Sequence, residues 1–500
     1  MLNNYCIFAN TNNGDNMLDN TIDKIIENVS NILGYSPDLS TRIIKKGKYR
    51  IGYMFFDSVS SDDKISNFLN KSLVVVNKKN IFDSLYTSIN NTIFNSNIKT
   101  CDTYERIIYY LASGFTIVIF DNEKKAIVIE TRETLDRGVS ESTSEVIVRG
   151  PKDSFTENHN KNIGLIRKRI KDSNLWFKSV EVGNKTKTIV SICYMNDIVP
   201  KEKIDKLYSD IKDINIDGIF DSGYIRELLE KKQSSVFPKV ISTERPDLAS
   251  TSLLSGKIVI LVENSPFAII LPAVLNDFFK SPEDNYKKPL NVSFSRLLRL
   301  LCFFITLFIP AIYIALMTYN PEIIPDKLLI SLAIQREAVP FPTTIEILIF
   351  ITTFEILREA NIHSSANSSG AMNIVGALIL GDAAVAAGIV SPIVIIIVAA
   401  TAISELVFYD VDVIDAIREW RIFFIAAATF MGITGLILSV IIFIAKLSSL
   451  ECLGVAYLTP FSPLKIKNLK DSIIRVSRKK IKNNSKLVYL KGENKWKNYY

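Results

Sequence analysis

Histidine is almost missing from this 500-residue chain: there are two, His159 and His363, far apart in sequence. That argues against a histidine-based metal or catalytic centre. Cysteine is scarce too, and Cys6, Cys101, Cys193, Cys302 and Cys452 are odd in number with neither paired nor metal-ligand spacing. They read as reduced, mostly packed thiols. The stretch "RGPKDSF" from Arg149 lacks the second glycine and the Lys-Ser/Thr pair of a P-loop, which counts against nucleotide binding. No nucleophile and base stand in a recognisable arrangement, so we expect no enzyme: no catalytic residue, no metal site and no cofactor. The opening "MLNNYCIFANTNNGDNMLDN" has neither a basic flank nor an apolar core of signal-peptide length, so the N-terminal part is expected not to be exported.

What the chain does have is long apolar runs, crowded between Leu297 and Ala445. Leu300–Met317, Ala383–Ser404 and Ile422–Ala445 carry no charge. About 20 apolar residues at ~1.5 Å rise cover a ~30 Å hydrocarbon core, so each run meets the length for a crossing and the chain reads as an integral membrane protein. Positive charge is concentrated at one end: Lys465–Tyr500 holds twelve Lys and Arg against Asp471 and Glu493, whereas the whole chain is +7. A polybasic segment just after a span is attracted to anionic lipid on the cytoplasmic side, and this position favours lipid over nucleic acid as its partner. Lys287, Lys288, Arg296 and Arg299 flank the first run in the same way. With both ends cytoplasmic, the number of crossings is even, and "VPFPTTIEILIFITTFEILREA" from Val339 supplies a fourth. Alternatively, "GALILGDAAVAAGIVSPIVIII" breaks at Gly381, Asp382, Gly388 and Pro392 into two half-helices, and residues 339–357 insert only partly.

Ahead of the membrane, two consecutive α/β units follow from the patterning. In the first, "MLDNTIDKIIENVSNILG" has helical spacing and ends on Gly34, "YRIGYMFF" is strand-like, and "FTIVIFDNEKKAIVIET" is a hairpin. The second repeats that style with a helix at "KNIGLIRKRI", a hairpin turning near Gly183 and Asn184, a short helix at "SGYIRELLEKK" and a hairpin around Asn264 and Ser265. The basic run Arg167, Lys168, Arg169 reads as a solvated face, with an inter-subunit role as the alternative. The fold expected is an α/β cytoplasmic N-terminal region of two subdomains followed by an all-α polytopic membrane domain of about four spans. Its parts are a disordered 1–16, subdomain 1 at 17–131, a charged, Gly- and Ser-containing linker at 132–154, subdomain 2 at 155–290, the helical transmembrane domain at 291–447 and a basic cytoplasmic tail at 448–500.

The most specific pieces of the chain are "RGPKDSFTENHNKNIGLIRKRI", "DSGYIRELLE", "VFPKVISTERPDLASTSLLSGKIVILVENSPF", "FFKSPEDNYKKPLNVSFSRLLR", "QREAVPFPTTIEILIFITTFEILREANI", "GIVSPIVIIIVAATAIS" and "GVAYLTPFSP". In order and number they resemble the A subunit of the spore germinant receptor, the GerA family of endospore-forming bacteria, from about Asp19 to Pro463. Departures are local: Glu263 and Asn264 stand where the family commonly has Asp-Gly, Ala338 where Gly is usual, "HSSANSS" where a Pro-bearing loop is common, and Asp382 and Ala386 where Gln and Glu are frequent. The resemblance implies the spore inner membrane as location, a homo-oligomeric ring that releases ions when a germinant binds, and two partners, a transporter-like B subunit that recognises the nutrient and a lipoprotein C subunit. A non-conducting scaffold subunit and a stand-alone secondary transporter are the alternatives.

The ionisable residues of the fourth segment are the candidate functional groups. Glu346 and Glu355 are nine residues apart, half a turn out of phase on a helix, so a helix carrying both is surrounded by protein or lines water. Glu355 and Arg358, at i and i+3, read as a structural ion pair. Glu346 has no partner in its own helix and shares its side with Thr353; copies in a ring would form an acidic girdle favouring cations, with Asp382 second. Pro340, Phe341 and Pro342 set a stiff entry to this pore or gate. The other reading is that the acids bond to neighbouring helices and hold the bundle together. In the soluble part, Glu244, Arg245, Pro246 and Asp247 read as a salt-linked turn or an inter-subunit or coupling contact.

Overall fold

The computed structural model describes residues 17–46, 49–67, 98–133, 145, 147, 149–230, 235–362, 381–462, 464, 472, 474 and 475. The expected disorder of 1–16, the "HSSANSS" segment, His363 and most of the basic tail fall outside these. Two compact units result, one holding residues 17–230 with 240–272 and the other 235–239 with 273–475.

The first unit contains the same five-stranded antiparallel topology twice. The first copy runs α1 (Ile22–Ile32), β1 (Leu39–Lys46), β2 (Tyr49–Phe56), β3 (Ile98–Cys101), α2 (Tyr104–Ala112), β4 (Phe115–Phe120), β5 (Ala126–Glu130), in sheet order β1-β2-β4-β5-β3. The second runs α3 (His159–Arg169), β6 (Leu175–Val182), β7 (Thr188–Met195), α4 (Lys201–Lys212), α5 (Ser222–Glu230), β8 (Ile241–Thr243), α6 (Pro246–Leu254), β9 (Ile258–Val262), β10 (Ala268–Leu271), in order β6-β7-β9-β10-β8. By position within the copy both read first, second, fourth, fifth, third. Helix α1 forms because Ile22, Ile25 and Val29 recur on one face, which is buried. Strand β4 is buried at every residue and pairs with β5 through the hairpin read from the sequence.

Arg167 of α3 holds the two copies together. It is 1% exposed and stacks 3.7 Å above the Phe56 ring of the first sheet. Its Nε donates to Asp38 Oδ2 at 2.6 Å, and its Nη2 to Asp38 Oδ1 and Ser36 Oγ at 2.7 Å each. The hydroxyls of Ser36 and Ser58 also donate to Asp38. The expected solvated basic face is therefore corrected: Lys168 alone is exposed, and Arg169 donates to Asp153 at 2.6 Å. Helix α3 is buried at every residue from Asn162 to Arg167, and a guanidinium is tolerated there only with a carboxylate and full hydrogen bonding. Beside it, Gly34 sits at φ +64 with its missing Cβ 2.2 Å from the Trp176 ring, so α1 ends where no side chain fits.

In the second unit, α7 (Leu275–Phe278) precedes α8 (Pro289–Tyr319), α9 (Asp326–Arg336), α10 (Thr343–Ile362), α11 (Pro392–Glu405), α12 (Val411–Ser449) and a small hairpin of β11 (Glu451–Cys452) and β12 (Val455–Ala456). Among the described residues, α8 and α12 are long and apolar enough to cross a membrane. At the base of α8, Arg296 and Arg299 both reach buried Asp284 at 3.0 Å. Two of the three uncharged runs do not form one uninterrupted crossing. Ala383–Ser404 breaks after the helical residues 381–386, at Gly388 with φ +66, and resumes at Pro392. Helix α11 has 14 residues, about 21 Å, less than a ~30 Å core. Ile422–Ala445 turns back at Gly432, where φ is +60 and ψ −139. Trp420 and Phe443 are 23 residues apart, which is about 34 Å along a straight helix, yet their rings are 4.8 Å apart. Helix α12 is therefore a helical hairpin, and Gly432 is required because a Cβ there would lie 2.8 Å from Tyr319.

Arg167→Leu is expected to cost about 3–5 kcal/mol by leaving Asp38 buried and unpaired, with Arg167→Leu/Asp38→Leu costing less, as read by urea unfolding of the purified chain. Burial would raise the Asp38 pKa, but attraction to Arg167 and the hydrogen bonds outweigh it and hold it below the ordinary 3.8. The stabilisation is thus complete above that value and is lost as pH falls through the lower folded-state pKa.

Candidate functional site

The ionisable residues of α10 meet partners from other helices on both of its sides. On one side lies Glu346, with 0% exposure. Its Oε2 accepts from Ser391 N at 3.1 Å and Ser391 Oγ at 2.8 Å, and its Oε1 is 3.5 Å from Arg336 Nε at the end of α9. Ser391 is the N-cap of α11 and Pro392 its first residue, so the carboxylate sits where a helix N-terminus presents unpaired N–H groups and positive potential. Glu346 thereby ties α9, α10 and α11 together. Pro340, Phe341 and Pro342 lie on the exposed lead into α10, and the Pro342 carbonyl accepts the first helical bonds, from Ile345 N at 2.9 Å and Glu346 N at 3.1 Å. Thr353 donates back to the Ile349 carbonyl at 2.8 Å and is satisfied within its own helix.

On the other side Glu355 enters a network of six charges. Arg358 Nη2 is 3.3 Å from Glu355 Oε2, and Arg358 Nη1 donates to Glu405 Oε1 at 2.9 Å. Arg421 donates to Glu405 Oε2 and Glu355 Oε1, both at 2.9 Å. Arg418 reaches Glu355 at 3.0 Å and Asp415 at 3.2 Å. Three carboxylates, Glu355, Glu405 and Asp415, thus meet three guanidiniums, Arg358, Arg418 and Arg421, and the set carries no net charge. Tyr319 donates to the Thr429 carbonyl at 2.7 Å, so the end of α8 and the tip of the α12 hairpin are level. By helical rise Arg299 lies about 30 Å below Tyr319, and Arg421 about 16 Å below Gly432. The network therefore extends from Arg421 down toward the foot of α12 among apolar helices, where charges are tolerated when paired.

The pairing of Glu355 with Arg358 is legible as i, i+3 spacing; Glu405, Asp415, Arg418 and Arg421 were missed. A signal existed, because Asp415, Arg418 and Arg421 recur every three residues and so share a face at the foot of α12. Asp382 is different. It is exposed on the helical residues 381–386, among Ala383, Ala384 and Ala386, and Gly381 packs beside Ile395.

In the first unit, Arg245 N-caps α6, Pro246 is its first residue, and Arg245 Nη2 donates to Asp247 Oδ2 at 2.9 Å and to the Pro151 carbonyl at 3.1 Å. The Glu244 carbonyl accepts from Phe155 N at 2.7 Å. Glu244, Arg245 and Asp247 are all buried within this chain. Glu145 closes the turn, accepting from Thr243 Oγ1 at 2.6 Å and Glu244 N at 3.2 Å. His159 packs in the core with its Nε2 2.8 Å from Ser191 Oγ, and burial lowers its pKa.

The fold defines a class of two-part protein, a duplicated antiparallel α/β unit joined in one chain to an apolar helical unit with an internal ion network. The chain belongs to the GerA family, since the family described as Bacillus/Clostridium GerA spore germination protein matches residues 27–487. It is similar to spore germination protein KA of Bacillus subtilis (strain 168), 34% identical over 463 residues, covering 92% of this chain and 85% of that one. It is also similar to spore germination protein GerLA of Bacillus cereus, 32% identical over 476 residues, covering 95% and 97%. Among solved structures, the N-terminal domain of the A subunit of the Bacillus megaterium spore germinant receptor GerK3 aligns at TM-score 0.42 and 26% identity, covering 52% of this chain and 97% of that domain. Membership supports a role in spore germination, and with the two apolar helices it points to a membrane protein; the two relatives named above carry germination names, not enzyme names.

Two outcomes follow from the geometry. Arg421→Leu strips Glu355 and Glu405 of a shared partner and is expected to cost about 3–5 kcal/mol, with a smaller loss in Arg421→Leu/Glu405→Leu, read by thermal unfolding of detergent-solubilised chain. Burial, the largest cause, pushes Glu145 from the ordinary 4.5 up to about 7. The folded form then binds a proton that the unfolded form has released, so stability falls as pH rises between those two values; Glu145→Gln should flatten that slope.

Proposed function

We propose that this chain is the membrane subunit of a nutrient germinant receptor, and that copies of it assemble as a ring into a germinant-gated conduit for monovalent cations in the spore inner membrane. The observation that carries this reading is Asp382, a carboxylate exposed on small-residue helix within the apolar unit. Facing acyl chains costs an ionised acid at least about 2.5–3.5 kcal/mol at mid-bilayer, so an exposed one is best explained by water or a second copy of the chain. Repeated around a ring, Asp382 is an acidic girdle that favours cations over anions.

Glu346 moves to a different role in this proposal. Its carboxylate is occupied by Ser391 and Arg336, so it positions the half-helix start after Gly388 and leaves the selectivity to Asp382. The transporter-like B subunit recognises the nutrient, the lipoprotein C subunit completes the receptor, and the N-terminal region and basic tail lie on the core side with anionic lipid at the tail. The signal is a population shift between two packings of the helical unit.

Planar-bilayer recordings of the reconstituted receptor test this. Germinant-dependent cation current is expected, with the cation-over-anion preference reduced in Asp382→Asn and retained in Glu346→Gln, which instead lowers thermal stability. Absence of current under every germinant would favour the non-conducting scaffold, and unchanged selectivity in Asp382→Asn would remove the girdle.

A further inference from the structure

Strand β6 is the outer member of its sheet, and among the described residues no strand pairs with its far side. The hydrogen-bond alternation of an antiparallel ladder tells which of its residues face outward. Asn196 N donates to the Asn174 carbonyl, one step beyond the pair Leu175 and Met195, so Trp176 with Tyr194 and Lys178 with Ile192 are the next pairs that bond across to β7. Glu263 N donates to the Ile189 carbonyl, which sets the same phase from the other side of β7. Phe177, Ser179 and Glu181 therefore turn their N–H and C=O groups away from the sheet.

A groove of about 460 Å³ is lined by residues 176–179 of this strand. One face of a strand offers only every second residue, so a groove touched by consecutive ones lies against the strand's edge. Tyr35 and Pro37 of the first copy and Ile204 of α4 supply other walls, and the rings of Trp176 and Tyr194, 6.4 Å apart, both reach it. Tyr35 is held at φ +51, a left-handed conformation that is an outlier for a bulky residue. Natural edges are commonly blunted by charge, and the matching edge of the first copy, β1, carries exposed Arg42 and Lys45. The lysine of β6 is engaged instead: Lys178 Nζ is 3.0 Å from Asp205 Oδ1 and 4.1 Å from the centre of the Tyr208 ring, which turns it onto α4 and off the edge.

Backbone groups repeated at strand spacing are matched in full only by another extended backbone; a small solute would meet one of them. Lys178 and Asp205 cancel, which leaves Lys201 as the charge of the groove, exposed at the first residue of α4, where Pro200 as N-cap offers no side-chain acceptor to the free N–H groups. The geometry points to β6 as the docking edge for an extended polypeptide segment of a partner protein. That segment adds a sixth strand to the five of this sheet, lays an aromatic or large apolar side chain against Trp176 and Tyr194, and sets an acidic side chain at Lys201. The site lies in the first unit and does not depend on the conduit, so its test needs no current.

The full chain in nanodiscs is titrated with a fluorescein-labelled, amidated peptide, Ser-Val-Tyr-Val-Asp-Val-Thr, by anisotropy, and hydrogen–deuterium exchange of residues 175–182 is read by mass spectrometry with and without it. Saturable binding and slowed exchange at 177–181 are expected. Two forms of the peptide, each N-methylated on the alternate amides of one edge, should differ in affinity by about tenfold, because a strand added at β6 uses one edge only. Ser179→Pro removes an outward donor at a position where an edge strand accepts proline, and should weaken binding by about tenfold. The methylated pair keeps the test intact should that variant fail to fold. Lys201→Glu should weaken binding by about threefold and regain it when lysine replaces the aspartate of the peptide. No saturable binding, equal binding by both methylated forms, or unchanged exchange at 177–181 would overturn the proposal. Slow exchange in the peptide-free chain that quickens when a nanodisc holds one copy instead of several would assign the edge to a second copy of the chain, and would overturn it as well.

Discussion

Six ionised side chains meet among apolar helices as three carboxylates and three guanidiniums, and their pairing ties the helices of this unit together. Glu355 and Arg358 come from α10, Glu405 from the end of α11, and Asp415, Arg418 and Arg421 from the foot of α12. Within the set, Glu355 and Arg358 balance inside α10, whereas Glu405 of α11 needs the surplus guanidinium of α12. Each carboxylate is shared between guanidiniums on different helices, so the network acts as a register mark that sets how far α10 and α11 descend beside α12. Buried ion pairs contribute little net stability against an apolar replacement, yet breaking one is costly, and this asymmetry suits a device that specifies one packing.

The same logic recurs twice on a smaller scale. Asp38 and Arg167 lock the two α/β copies with one neutral pair supported by two serine hydroxyls. Glu346 engages the start of α11 and Arg336, so a carboxylate neutralises a helix end and a cation together. In every case a charge that looks exposed or functional in a linear reading is consumed by a partner distant in sequence. Asp382 stands apart because, among the described residues, it is exposed beside small and apolar neighbours, and the proposed conduit rests on it.

Much of the first unit was legible. The hairpins at Phe115–Glu130, Leu175–Met195 and Ile258–Leu271 follow from β-branched runs flanking turn residues, and α1 and α3 from apolar spacing. Glu244–Asp247 read as a salt-linked turn or a coupling contact, and the helix α6 that starts at Pro246 is not legible because Ser, Thr and Asp obscure its periodicity. The duplicated topology was visible as a repeated style but not as a repeated strand order, since order depends on pairings across about 25 to 70 residues. In the second unit, uncharged length marked the apolar helices but not the breaks that interrupt two of the three runs: the one at Gly388 is legible as an alternative from Gly388 and Pro392, and the one at Gly432 is not.

The sequence by itself determined that an apolar helical unit follows a two-part α/β region, that charges sit where hydrocarbon would expel them unpaired, and that the chain resembles germinant-receptor A subunits. These depend on composition and local periodicity, which are properties of neighbouring residues. Only the tertiary structure decided that Arg167 is buried, that α12 doubles back at Gly432, and that Glu346 caps a helix while Glu355 joins a six-membered network. Those outcomes turn on which distant groups can come within about 3 Å of one another, and a charge in a low-dielectric interior takes its meaning from that partner.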